Sequence, residues 1–336
     1  MAVVGYWETL AEAEKLVQSP LYAGVVQELW KEGDLNQFLP LVGINSPSVL
    51  YNRQDTYPTG TFLTYHEKIT PTNNQTYGTQ QEAVIKQLVM PKLEDKFMRD
   101  TFRNPNDMTA QMLKEMAQGM KWTMEDAHIY GNTTTNSKEY NGLHALIDSS
   151  MVINQGSGST GDALSFMNVR KLFDSVKPKP DLFICTHEVA RRLDAAGHLG
   201  ITTGGTNTVY PGGISLGSLN PTNMGGRISS LLGVPLLRSD FLTQTETISG
   251  GDYSAKTGGA TSSIFAIKFG HFMEGGLCMV AIADTIGPDF NKMEIIDPHP
   301  DYNAVEYRLL SYLCLALGST KALGCIDGIT DAEVVA

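Results

Sequence analysis

The most suggestive chemistry in the chain is Gly156-Ser-Gly158-Ser-Thr-Gly161, a G-x-G-x-x-G string between a short apolar run and a helix-like segment, with Asp181 twenty residues further on. Glycines so spaced let a backbone close on a pyrophosphate at a helix N-terminus, and the distant carboxylate would take a ribose hydroxyl. The surroundings do not suit that use. Asp181 precedes the apolar run Leu182 to Cys185 instead of ending it, and the Gly and Ser string also reads as a flexible link. His187-Glu188 opens like a zinc-binding helix, but position 191 is Arg, so the second histidine ligand is missing. The remaining histidines, His66, His128, His144, His198, His271 and His299, stand alone, as surface or hydrogen-bonded core residues do. Asp126 and His128 lie two apart on a helical segment and face different directions, which argues against a dyad.

Cys185, Cys278, Cys314 and Cys325 sit among apolar neighbours without C-x-x-C spacing, which suits buried thiols and not a zinc site or a disulfide. There is no G-x-S-x-G elbow, no phosphate-binding P-loop and no paired-carboxylate spacing. No catalytic, cofactor-binding or metal-ligating residue is therefore assigned, no cofactor is expected, and an enzyme is not expected. Composition narrows the classes further. Charged residues are 18% of the 336, against roughly 25% in ordinary domains. The 25 Lys and Arg against 36 Asp and Glu give a net charge of -11, the wrong sign for broad attraction to phosphate, so sequence-specific DNA binding is not expected. Apolar stretches such as Ile264 to Ile267 and Leu313 to Leu317 fall far short of the roughly 20 residues that cross a bilayer. The N-terminus carries no basic residue before its short apolar patch, unlike a secretory signal, so a cytoplasmic protein is expected.

The elements that would position any function follow from periodicity. Residues 6 to 18 and Leu21 to Lys31 form two short amphipathic helices joined at Pro20, too small to make a core and so obliged to lie on something else. Thr61 to Thr70 and Gln80 to Met90 alternate apolar and polar residues around a turn-rich tip, Pro71 to Gly78, which predicts a long projecting hairpin. An isolated hairpin is marginal in water, so it is expected to dock, with Ile69 and Ile85 among its apolar positions. A rod helix is predicted from a cap at Asn106 or Asp107 to about Tyr130, with Gly131-Asn132 as its stop. Along it Met108, Met112, Met116, Met120 and Met124 make a stripe expected to be core.

Residues 151 to 285 read as α/β. A strand is expected at Met151 to Asn154, a helix at Ala163 to Val176 capped by Asp162, a strand at Leu182 to Cys185 and a helix at Glu188 to Ala196. Further strands are expected at Val234 to Leu237, Ile264 to Lys268 and Leu277 to Ala283, around irregular loops at 202–226 and 249–263. Tyr302 to Ala316 and Lys321 to Ile326, flanking Leu317-Gly-Ser-Thr320, predict a C-terminal hairpin.

Taken in order, these parts resemble the major capsid proteins of tailed double-stranded DNA bacteriophages, whose fold encapsulins share. The resemblance is carried by Glu125-Asp-Ala-His-Ile-Tyr-Gly131-Asn132, Tyr140-Asn-Gly142-Leu143, Gly233-Val-Pro235-Leu, the strand Ile264 to Lys268, and Tyr51-Asn-Arg53 through Pro58 to His66. It implies an α+β fold divided into an N-terminal arm (1–47), an extended hairpin loop (48–95), a peripheral domain with a spine helix (96–150), an axial domain (151–285) and C-terminal strands returning to the peripheral domain (286–336). It also implies a subunit that self-assembles as pentamers and hexamers into an icosahedral shell enclosing phage DNA without sequence-specific binding, in the virion, after assembly in a bacterial host cytoplasm. A portal and a decoration protein are implied partners. No scaffolding segment of about a hundred residues precedes the arm, so a separate scaffolding protein is expected. Some members form a Lys to Asn cross-link; Lys68 and Lys86 sit in the hairpin, but no Asn or acid partner is identified. An encapsulin-like compartment, and a nucleotide-binding α/β oxidoreductase using the glycine string, are the alternatives.

Overall fold

A computed structural model describes residues 31–70, 76–101, 108–155, 161–202, 230–246, 261–284, 287–288 and 292–335. The arm helices up to residue 30, the hairpin tip at 71–75, the helix cap at 106–107, the glycine string at 156–160 and the loops at 203–226 and 249–260 lie outside them. The chain opens with β1 (Leu41–Ile44), β2 (Ser48–Thr56), β3 (Thr76–Val84) and β4 (Lys86–Asp95), then a short helix (Lys96–Thr101) and the rod helix (Met108–Tyr130). Next come β5 (Val152–Asn154), a helix (Phe166–Ser175), β6 (Leu182–Cys185), a helix (His187–Thr202), β7 (Ser230–Leu231) and β8 (Val234–Arg238). The last strands are β9 (Thr261–Ile267), β10 (Leu277–Asp284), β11 (Gly287–Pro288), β12 (Lys292–Ile296), β13 (Ala304–Leu317) and β14 (Leu323–Thr330).

Two six-stranded sheets organise this α+β fold. The first runs β1-β10-β13-β12, with β4 on β13 and β11 on β10; the second runs β5-β14-β9-β6-β8-β7. β2 and β3 form a separate two-stranded ladder. β13 is long enough to be shared. Leu309 pairs with Met90 of β4 and with Met293 of β12, so those two strands flank β13 from opposite sides. Its far end, Leu313 to Leu317, pairs with β10. The chain then turns through Gly318 and Ser319 and enters the second sheet as β14, against β9. The predicted C-terminal hairpin therefore does not form: its strands belong to different sheets. The turn itself is tight, since a Cβ on Gly318 would lie 2.0 Å from the Phe272 carbonyl oxygen.

The rod helix lies on the first sheet. Met112 and Met116 pack with Val305 and Tyr307, while Met90, Leu113 and Leu309 fill in around them. Met124 and Ile129 reach the main core, which is continuous through both sheets. Met112, Met116, Met120 and Met124 are each buried, so the stripe is core, as the periodicity implies. The helix ends where predicted. Gly131 has no room for a side chain, because a Cβ there would lie 2.4 Å from the carbonyl oxygens of both Ala127 and Tyr140. Gly142 N–H closes the arrangement by donating to Gly131 O at 2.7 Å. The two sequence fragments on either side of residues 133–139 are thus one packed unit.

Other local expectations shift. The strand predicted at Thr61 to Thr70 is absent, and Ser48–Thr56 pairs with β3 instead. Thr64 N–H and Oγ1–H both donate to the Glu67 carboxylate, Glu67 N–H returns to Thr64 O at 3.2 Å, and His66 takes a left-handed φ of 65°. A side chain that satisfies the local backbone this way competes with strand pairing. The predicted strand at Gln80 to Met90 is divided at Ile85, whose N–H bonds Pro47 O; residues before it pair with β2 and residues after it with β13. The helix predicted from Ala163 begins at Phe166, because Ser165 Oγ accepts from Met167 N–H while the Asp162 carboxylate is engaged by Ala163 N–H. The helix predicted at Glu188 to Ala196 extends over His187–Thr202, and Met151 closes a 3-10 turn ahead of β5.

The rod helix yields a first prediction. Met116→Ala should destabilise the protein by about 2–5 kcal/mol in urea unfolding, whereas Met116→Leu should change it by less than about 1.5 kcal/mol. A stripe serving as an adaptable binding groove would tolerate both substitutions alike.

Candidate functional site

Three polar clusters hold the projecting or excursive parts of the chain to the sheets. The first seats the hairpin. Tyr51 Oη–H donates to Leu317 O at 2.7 Å, and the Arg53 guanidinium reaches Leu317 O at 2.7 Å and Gly318 O at 3.0 Å. These carbonyls belong to the bend where β13 leaves for β14. The Tyr51 ring lies 5.6 Å from that of Phe272, and just past the end of β3, at the start of β4, Lys86 Nζ donates to Ser137 O at 2.9 Å. Between hairpin base and body runs a cleft of about 540 Å³, lined by Tyr51, Arg53, Glu82, Lys86, Tyr140 and Asp148 among others. Burial pushes the Tyr51 hydroxyl above its ordinary pKa, against the pull of the adjacent Arg53.

The second cluster fastens the root of the arm to the rod helix. Leu35 and Asn36 N–H donate to the two oxygens of Glu125 at 3.0 and 2.9 Å, and Lys121 pairs with Asp34 at 2.5 Å. Asn36 Oδ1 can only accept, so the buried His128 ring carries its proton on Nε2, 2.6 Å away, and accepts at Nδ1 from the Tyr140 hydroxyl at 2.9 Å. Burial holds His128 down at about 3, so the ring is neutral. Burial pushes the Glu125 carboxyl up to about 7; the amides of Asn36 and Leu35 oppose this, Asp34 adds to it, and Lys121 counters.

The third cluster anchors the chain just before residue 247. Glu246 accepts from Tyr130 Oη–H at 2.9 Å and from the Ser263 hydroxyl, and lies 3.2 Å from His144 Nε2. The His144 ring stacks on Tyr130 at 5.1 Å and meets the edge of Phe265 at 4.7 Å.

The segment between β2 and β3 presents large apolar side chains to solvent among polar ones. Tyr57, Leu63 and Ile69 are exposed between β2 and β3, where Phe62 is 105% and Tyr65 96% accessible. Ile85, by contrast, is partly buried against the core. The residues weighed in sequence for chemistry do not converge. His187 faces Asp240 at 3.2 Å and Arg191 pairs with Asp331. Asp126 is exposed while His128 is buried. His271 and His299 accept backbone N–H bonds at Nδ1, from Met273 and Asp301. Among the described residues no group of three or more His, Cys, Asp and Glu is placed to hold a metal, and no helix is long and apolar enough to cross a membrane. All four cysteines are free and buried, and burial lifts the Cys185 thiol to about 12. Sequence reasoning missed Arg53, Glu125 and Glu246. For Glu125 a signal existed: the methionine stripe drifts around the rod, so its last turns bring Glu125 and His128 toward the core.

Two predictions follow from the clusters. Arg53→Ala should raise amide exchange of β2 and β3 at least tenfold while leaving β9 and β14 unchanged; equal exchange throughout would remove the clasp. For Glu125, a folded value of about 7 lies above the ordinary carboxyl value of 4.5, so the folded state holds the proton more tightly. Its contribution is then most favourable below pH 4.5, is lost as pH rises toward 7, and levels off above. Glu125→Gln should flatten the fall in stability between pH 5 and 7, read by urea midpoints across that range.

No protein-family model matches this sequence, and no curated protein does. Solved structures do. The capsid of a native GTA particle, computed with C5 symmetry, superposes with a TM-score of 0.66 at 13% identity, over 95% of this chain and 97% of that one. The holo-SrpI encapsulin complex from Synechococcus elongatus gives 0.60 at 14% identity, over 90% and 89%. A structure of Microbacterium phage Oxtober96 gives 0.60 at 12% identity, over 96% and 98%. At such identities the shared property is the path of the backbone, and along nearly its whole length this chain has the fold of tailed-phage major capsid proteins, which encapsulins share.

Proposed function

We propose that the chain is the subunit of a closed protein shell, and specifically a major capsid protein whose icosahedral head encloses double-stranded phage DNA. The observation that carries the shell reading is the apolar loop at 57–70, which stands in solvent on a hairpin held rigidly at its base. A large exposed apolar surface marks a contact still to be made. On this reading the parts are an arm at 1–47, an extended loop at 48–95, a peripheral unit at 96–150, an axial unit at 151–285 and returning strands at 286–336. Copies would gather as pentamers and hexamers, with separate scaffolding, portal and decoration proteins as further partners. The net charge of -11 suits a wall that lets DNA slide instead of gripping it.

The likeness to an encapsulin complex favours a second reading, a compartment enclosing protein. Electron microscopy of the purified chain, with the contents of any particles extracted, separates these. Closed shells of uniform size support the shell subunit, with enclosed DNA pointing to a capsid and enclosed protein to a compartment. Small soluble oligomers under all assembly conditions would overturn both.

A further inference from the structure

Lysines from three distant parts of the chain meet at one end of the second sheet. β9 ends at Ile267, opposite Leu182 of β6 and Leu323 of β14, so the residues just past β9 and just before β6 and β14 share that end. Lys177 N–H donates to Lys321 O at 2.9 Å, and Lys268 N–H donates to Ala322 O at 2.8 Å. The loop that carries Lys177 and Lys179 is pinned at its other end too, because Asp181 N–H donates to Ile267 O at 2.8 Å. Between those anchors Pro178 and Pro180 each fix a backbone angle.

The acids nearby do not neutralise them. Lys268 Nζ lies 2.9 Å from Asp181 Oδ1, which occupies the loop's own carboxylate. Lys177, Lys179 and Lys321 are exposed, and among the described residues none of them makes an ion pair. On the adjoining elements, Arg170 and Lys171 outnumber Asp174 along the Phe166–Ser175 helix, and Glu274 is the exposed acid of the turn before β10. In a chain of net charge -11 this is a local reversal of sign, and like charges held together are stabilised by a counter-charge. A protein partner would want an apolar centre with charge at its rim, whereas the centre here is lysine around Pro178. Lysine meets phosphate as a point charge, without the planar fork that reads base edges.

We infer that this end of the second sheet is a contact for the phosphate backbone of duplex DNA, made by Lys177, Lys179 and Lys321 without regard to sequence. The choice of DNA as the polyanion rests on the capsid reading; the position of the contact rests on the lysines. A contact of so few charges on an acidic wall is weak and strongly dependent on salt, and it touches DNA without fixing it.

Fluorescence anisotropy of a short labelled DNA duplex, titrated with the unassembled full chain between about 50 and 200 mM salt, tests the contact. Each phosphate neutralised adds about -0.9 to the slope of log affinity against log salt. A triple variant, Lys177→Ala with Lys179→Ala and Lys321→Ala, should make that slope shallower by about 2–3 and weaken binding about tenfold at the low-salt end. All three side chains are exposed, so its urea midpoint should stay that of the unmodified chain. A control with the same net charge, Lys114→Ala with Lys138→Ala and Lys292→Ala, should bind the duplex as the unmodified chain does. Equal losses in the two variants would reduce the effect to overall charge and overturn the site, as would no duplex binding by the unmodified chain. Binding of polyglutamate in place of the duplex would overturn it in favour of an acidic protein. The capsid reading is judged apart, by microscopy: DNA-filled shells from a chain that fails the titration sink this contact alone, and duplex binding at these lysines in a chain that never closes shells sinks that reading alone.

Discussion

The fold depends on one strand serving two sheets' worth of chain. β13 is flanked by β4 and β12 from Glu306 to Leu310 and pairs with β10 from Leu313, and at Leu317 it must end so that β14 can begin in the other sheet. A buried strand end exposes carbonyls that need partners. Arg53 and Tyr51 supply them from the hairpin, so the part of the molecule that projects furthest is tied to the point where its two sheets join. Gly318 permits the bend, and the continuous core on both sides keeps it from opening.

The same economy appears elsewhere. Glu125 gives its two oxygens to the main chain of Leu35 and Asn36, and Glu246 gathers Tyr130, Ser263 and His144. Each carboxyl group is buried among polar partners, which is what makes such a group tolerable in a core. The apolar residues, in contrast, are left on the loop itself.

Much of this was legible in sequence where the signal was local. The methionine spacing placed the rod helix, an apolar run gave Leu182–Cys185 without error, and Gly131 marked the helix stop because the returning chain leaves no space there. Partner choice was not legible. The alternation at Thr61 to Thr70 is that of a strand, but a turn at Thr64 and Glu67 takes its backbone within the single chain. The last two strands look like a hairpin because only five residues separate them, yet their hydrogen bonds go to different sheets. Arg53 finds its acceptor 264 residues away, and no spacing rule reaches that far. The overall resemblance succeeded where single motifs were weak because the order of parts survives when identity has fallen to 13%.

The division of the β3 and β4 run at Ile85 has a mechanical meaning. Both strands of the hairpin enter the body at one level, through Pro47 and Ile85, which share a single hydrogen bond. Nine residues of β3 at about 3.3 Å each make an arm of about 30 Å beyond that level. The base of that arm is held, because Val49 and Ala83 are buried in the core and Tyr51 and Arg53 bond the carbonyls of Leu317 and Gly318. What is left to incline is the part beyond Arg53, where the β2 and β3 ladder already shifts register between Asn52 and Thr56.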